Sequence, residues 1–334
     1  MSFVDRQQGF GLVDLRLVRT DDGGRTWRVV GSPIPTDDLG YIPGKAIFTS
    51  LSDGYIYDRG LRVTHDGGAT WHDPHLNRYV DERDGPTDGH VLALQPRGDS
   101  VWALVACPPD SPCDIELHVS DDGGRTWRKR STPMIRDVAG VSASLARVSA
   151  TKAYAVAAVG LEADTSENAP YHHIAATEDG GRTWRYLPDP CHVTVLEFLA
   201  ATGQKDLWLV CGDQGATIME AKEVFRSSDG GEHWTLRSST IMGGHAVGSL
   251  PDSGHVYSLV AVSPSRAYLG LGRATQFQTV DGGRTWTASF WYNGDVGGGP
   301  VNFVDPTHGW GTGEFHLYQT VDGLHWRDLG GGHP

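Results

Sequence analysis

One eight-residue phrase recurs along the chain and constrains its fold more than any other feature. It reads Thr20-Asp21-Asp22-Gly23-Gly24-Arg25-Thr26-Trp27 and returns as Thr64 to Trp71, Ser120 to Trp127, Thr177 to Trp184, Ser227 to Trp234 and Thr279 to Trp286. A seventh copy, Thr320 to Trp326, is one residue shorter. The tryptophans stand 44, 56, 57, 50, 52 and 40 residues apart. That period matches the roughly 40 to 50 residues of a four-stranded propeller blade. The expected fold is all-β: one domain over residues 1–334, a seven-bladed β-propeller of four-stranded antiparallel blades. The blades fall at about 1–33, 43–77, 88–133, 138–188, 191–239, 254–290 and 299–330.

The phrase has the chemistry of a self-contained turn. An Asp in third position can accept the backbone amides that follow it, two glycines permit positive φ, and the flanking hydroxyls tie the ends together. The tryptophan then opens the outer strand and covers the apolar side of its own turn. Asp22, Asp66, Asp122, Asp179, Asp229, Asp281 and Asp322 are accordingly assigned to structure rather than to catalysis or calcium. The phrase resembles the Asp-box (BNR) repeat, S/T-x-D-x-G-x-T-W, of sialidases, sortilin-type receptors, xyloglucan-degrading propellers and a photosystem assembly factor family. The resemblance implies the fold and says little about function. Sialidases place an arginine in an Arg-Ile-Pro segment of a six-bladed propeller. Here the nearest segment is Tyr41-Ile42-Pro43, and seven boxes do not suit six blades.

Upstream of each box the strands follow one grammar. Blade 7 reads Val301 to Asp305, a turn through Thr307 and His308, then Gly309-Trp310-Gly311; blade 1 reads Phe3-Val4-Asp5, then Gly9-Phe10-Gly11. Phe3 thus matches Phe303, and the chain opens inside an inner strand short of about two residues. The expectation is a trimmed or processed chain that a leader once preceded.

Charge removes several function classes. With 41 acidic against 28 basic residues the formal charge is −13, and no basic run offers a surface for nucleic acid or anionic lipid. It also lacks the basic patch through which the photosystem assembly relatives bind protein. No stretch approaches the roughly 18 apolar residues of a membrane span. A monomer is expected.

Four cysteines allow three pairings. Blade register favours Cys107 with Cys113 across Pro108 to Pro112, and Cys191 with Cys211, which antiparallel pairing of the first two strands of blade 5 brings together. Disulfides imply a secreted or extracytoplasmic protein. A reduced set is the alternative, while zinc would want tighter paired spacing.

Function is expected on the top face, where the loops vary: Pro74 to Asp88, Cys107 to Asp114, Gly160 to His173, Gly212 to Lys222, Ser239 to Gly254 and Ser289 to Gly299. Gly89-His90-Val91, Cys191-His192-Val193 and Gly254-His255-Val256 are expected to open their inner strands in one register, with Lys45 at that place in blade 2. His90, His192 and His255 then either line a wet channel and bind ligand, or hold a divalent metal. Tyr79, Arg78, His173 and His245 are candidates for acid-base chemistry on a sugar polymer. Trp291 and Tyr292 read either as a stacking platform or as a loop anchor. The function expected is an exported, ligand-binding propeller for carbohydrate or protein. The alternative is a polysaccharide lyase or glycoside hydrolase.

Overall fold

The computed structural model describes residues 1–13, 15–34, 44–76, 79–81, 85–87, 89–106, 115–130, 132, 141–159, 172–191, 196–212, 221–240, 247–251, 254–272, 275–291, 301–312 and 316–330. These residues form strands and turns with no helix. The strands make seven successive antiparallel sheets, each meandering in chain order from an inner to an outer strand, and the fold is a seven-bladed β-propeller. The chain groups into two compact units, Met1–Asp137 with Gly332–Pro334, and Val138–Gly331.

In the first unit, blade 1 is built from Ser2–Phe3, Gly9–Val13, Arg16–Thr20 and Arg28–Val30. Phe3 pairs with Gly9 just as Phe303 pairs with Gly309, the equivalence drawn from the sequence. Blade 2 has Lys45–Phe48, Gly54–Asp58 and Gly60–Thr64, and its outer position is held by a single bridge from Val63 to His72. A short hairpin, Tyr79–Asp81 with Gly85–Thr87, follows. Blade 3 has His90–Arg97, Ser100–Ala106, Glu116–Ser120 and Arg128–Arg130.

In the second unit, blade 4 runs Val141–Arg147, Ala153–Val159, His172–Thr177, Arg185–Leu187, and blade 5 runs Leu196–Ala201, Leu207–Gly212, Lys222–Ser227, Thr235–Ser239. Blade 6 runs Val256–Ala261, Ala267–Leu271, Thr275–Thr279, Thr287–Trp291, and blade 7 Asn302–Phe303, Gly309–Thr312, Leu317–Thr320, Trp326–Asp328.

Each box turn is closed by its aspartate. In blade 1, Asp22 Oδ1 accepts the Arg25 and Thr26 amides at 3.0 and 2.9 Å, and Oδ2 accepts the Thr26 hydroxyl at 2.6 Å. The Thr20 hydroxyl donates to Asp22 at 2.8 Å and accepts the Gly24 amide at 2.9 Å. Gly23 and Gly24 sit at φ 76° and 92°, which a side chain would strain. Where threonine gives way to histidine, the imidazole takes its place: His233 and His325 meet Asp229 and Asp322 Oδ2 at 2.7 Å. This accumulation of donors holds the Asp22, Asp66, Asp179 and Asp281 carboxyls near pKa 2, with the Thr hydroxyl and amide as the main stabilisers in the first three and burial opposing.

The core lies between neighbouring blades. Its largest buried side chains are second-strand aromatics: Tyr55, Trp102, Tyr154, Trp208, Tyr268 and Trp310. Several reach the turns of the following blade. Tyr154 donates to the Gln204 carbonyl at 2.8 Å, Trp208 to Ser263 at 3.3 Å and Tyr268 to Gly323 at 2.5 Å. Box tryptophans cover their own turns as expected: the Trp27, Trp127 and Trp286 indoles donate to the Gly24, Gly124 and Gly283 carbonyls at 3.1, 2.9 and 3.2 Å.

Candidate functional site

The box turns occupy one end of every blade with nearly uniform chemistry. The opposite end, where the second strand passes to the third, differs between blades. In blade 2 this passage is reduced to one residue. Asp58 pairs directly with Gly60, leaving Arg59 at the tip. Such a reversal demands unusual backbone angles, and Asp58 and Gly60 adopt φ 144° and 75°. A non-glycine residue held there stores strain that surrounding contacts must offset. The tip is stitched to blade 3: the Gly60 amide donates to the Gly89 carbonyl at 3.2 Å, and Arg59 bridges antiparallel to His90.

That stitch assembles a polar group from two blades. Lys45, opening the inner strand of blade 2, is exposed and pairs with Tyr57; its Nζ lies 5.9 Å from the Tyr57 ring centroid. The Asp58 carboxylate lies over Gly44, whose Cβ, if present, would be 3.6 Å from Oδ2. Burial, followed by the Asp58 charge, pushes the Tyr57 phenol up to about 12, so it stays protonated. Burial lowers the His90 pKa below the usual histidine value; Asp58 opposes this, while Arg59 and Lys45 reinforce it. Among the described side chains, two cations, one carboxylate, a neutral imidazole and a phenol thus share one rim. Among the described side chains at this rim cations outnumber carboxylates, a balance suited to an anionic group.

Lys45 and His90 were expected at this end from the sequence; Tyr57, Asp58 and Arg59 were not. The available signal was the absence of a loop between Tyr57 and Leu61, where blades 3, 4 and 5 carry long connections.

The remaining sequence candidates fall as follows. The His255 carbonyl accepts the Gly272 amide at 2.7 Å, placing His255 opposite Gly272 as His90 stands opposite Ala106. Both histidines are followed by a valine and then a bulge, so their register is shared. Blade 5 departs from it. There Leu196, not His192, stands opposite Gly212, with no bulge after it. His192 lies outside the described residues.

His173 sits on the third strand of blade 4 opposite Ala157, its ring 4.8 Å from exposed Tyr186. Tyr79 pairs with Thr87 in the short hairpin, and Trp291 ends blade 6 opposite Thr275. Arg78, His245, Tyr292, Cys107 and Cys113 lie outside the described residues.

The expected Cys191–Cys211 disulfide is present, with Cα atoms 5.8 Å apart. Around it blade 5 buries charge that sequence reasoning missed. Glu197 and Glu223 flank Cys211 across the ladder at 1% and 0% exposure, and Lys222, also 0% exposed, donates from Nζ to the Gly254 carbonyl at 2.9 Å. Burial, and secondarily the charge of Asp189, raises the Glu197 carboxyl well above its ordinary pKa.

Comparison with known proteins places these features on a familiar scaffold. The BNR/Asp-box repeat family matches residues 118–129, within blade 3. No curated protein matches the sequence. Among solved structures, "YCF48 bound to D1 peptide" is similar at TM-score 0.62 and 19% identity, over 96% of this chain and 90% of that one. An ancestral GH74 enzyme is similar at TM-score 0.65 and 12% identity, over 98% of this chain; the match spans 46% of that longer protein. A PL25 ulvan lyase bound to its saccharide gives TM-score 0.49 at 11% identity, over 98% and 95% of the two chains. Identities of this size speak to the fold alone.

Proposed function

From the premise that the chain is a seven-bladed propeller built on Asp-box repeats, we propose that it is an extracytoplasmic ligand-binding module. It captures an acidic group of a peptide or glycan chain on the blade 2–3 rim. The observation that carries this reading is the convergence of Lys45 and Arg59 on His90, fixed by the strained Asp58 tip and its stitch to Gly89. Lys45 and Arg59 supply charge, Tyr57 an apolar ring face, and neutral His90 both a donor and an acceptor. An extracytoplasmic setting is supported by the disulfide. The scaffold suits binding, since a structurally similar propeller is described with a peptide bound.

The decisive experiment titrates the protein with a peptide ending in a free carboxylate, its amidated twin, and an oligouronate matched to its neutral counterpart. Binding of the acidic member of either pair, lost in a Lys45→Ala/Arg59→Ala double variant, supports the reading. Equal binding of acidic and neutral members would reject it.

An enzymatic reading, as lyase or hydrolase, draws on the His173–Tyr186 ring pair. On the blade 2–3 rim, the described residues supply one carboxylate, and its phenol is held protonated, which suits proton abstraction poorly. Incubation with polyuronates, read by new double-bond absorbance and by reducing ends, separates the two readings.

A further inference from the structure

Blade 5 holds a second cluster, separate from the rim of blades 2 and 3. Asp189, on the linker from blade 4, accepts the Cys191 amide on Oδ1 at 3.0 Å and so fixes the turn presenting that cysteine. Cys191 is bonded to Cys211, which the ladder sets directly beside Glu197. One ligand atom from each of Asp189, Cys191 and Glu197 lies within 4.8 Å of the others. The Cys211 sulfur is one bond away from that of Cys191. Two carboxylates and one sulfur, from the linker and the inner strand, therefore converge, and the disulfide ties the second strand's sulfur to them.

While the disulfide stands, neither sulfur carries the charge a metal requires. We propose that reduction of Cys191–Cys211 opens a transition-metal site, with both cysteine thiolates and the Asp189 and Glu197 carboxylates as ligands, suited to Zn2+. Two thiolates on a tetrahedral zinc, each at about 2.3 Å, stand roughly 3.8 Å apart. The Cα separation of 5.8 Å accommodates that spacing after the sulfurs part. Thiolate ligands favour zinc over magnesium or calcium, and the strand and the turn hold the carboxylates in place.

The chemistry balances with a dithiol reductant. Its two thiols become a disulfide and pass two electrons to Cys191–Cys211, which becomes two thiols. The incoming metal displaces the protons of both thiols and that of the Glu197 carboxyl, which leave to solvent. The site is thus closed under oxidising conditions and open under reducing ones.

The test uses the full chain carrying Cys107→Ser and Cys113→Ser, so that reduction yields only the two thiols in question. Co2+ alone is the probe, followed by competition with Zn2+. After reduction with a phosphine, one Co2+ per chain is expected, with a thiolate-to-cobalt charge-transfer band of two-sulfur intensity, and zinc should displace it. The oxidised protein should show no such band. Asp189→Asn and Glu197→Gln should each weaken the reduced protein's affinity by about tenfold or more while the sulfur band persists.

Thermal unfolding supplies an independent reading. Zn2+ should raise the melting temperature of the reduced protein and leave the oxidised one unchanged. If the reduced chain loses its fold, zinc should restore it. Failure of reduced protein to bind stoichiometrically, equal binding by the carboxamide variants, or no effect of zinc on reduced-state stability would each overturn the proposal.

Discussion

The hydroxyl of Tyr55, in the second strand of blade 2, donates to the carbonyl of Gly123 in the box turn of blade 3 at 3.1 Å, with both groups buried. Burial, helped by the charge of Asp53, pushes the phenol up to about 12, so the proton stays on the donor. Gly124, next along, would place a Cβ 3.2 Å from the Tyr55 ring, so turn and ring fit closely. Tyr268 and Gly323 repeat the arrangement between blades 6 and 7. The box is therefore more than a local turn: it presents a carbonyl that the preceding blade's aromatic caps.

Tyr55→Phe keeps the ring and strands that carbonyl. The expected loss is about 1–2 kcal/mol, read from the midpoint of urea unfolding, and Tyr55→Ala should cost about 3 kcal/mol or more. A Phe variant as stable as the parent would show that the hydroxyl contributes nothing.

The box aspartates predict acid lability. Asp22 has a carboxyl pKa near 2 in the fold, against about 4 in an unfolded chain. Its contribution is then complete above pH 4 and lost as pH falls towards 2, because the unfolded state binds the proton first. Melting temperature should fall across that window. Asp22→Asn should be less stable than the parent at pH 7 and converge on it at pH 2.

Binding at the rim should strengthen on acidification. His90 is neutral at pH 7, its pKa lowered chiefly by burial. As pH falls through that lowered value the imidazole gains a positive charge beside Lys45 and Arg59, and affinity for an acidic ligand rises. His90→Gln should flatten the rise without abolishing binding at pH 7. Calorimetric titration between pH 7.5 and pH 5 reads the difference, and added salt should weaken parent binding throughout.

Removing the Cys191–Cys211 bond, which closes a sequence separation of 20, should cost about 3 kcal/mol in the loop-entropy model. The variant Cys191→Ser/Cys211→Ser should keep its strand content by circular dichroism while its unfolding midpoint drops. Non-reducing peptide mapping of the parent should recover this pair, and Cys107 joined to Cys113. Four titratable thiols in protein purified without reductant would contradict both.

The sequence by itself determined the seven blades, the box turns and the pairing of Cys191 with Cys211. The information is local there: an aspartate, two glycines and a hydroxyl within eight residues satisfy one another wherever they stand. The two cysteines of blade 5 stand 20 residues apart, one ahead of its inner strand and one in the second strand, so a simple antiparallel meander brings them near each other. The tertiary structure decided what periodicity cannot carry. It set Leu196 opposite Gly212, a pairing that only the ladder shows. It drew Arg59 to His90, since the contact depends on an amide of blade 2 meeting a carbonyl of blade 3. It also buried Glu197 beside the disulfide, at a position where strand alternation shows an ordinary polar residue and the neighbouring blade alone determines whether water can reach it.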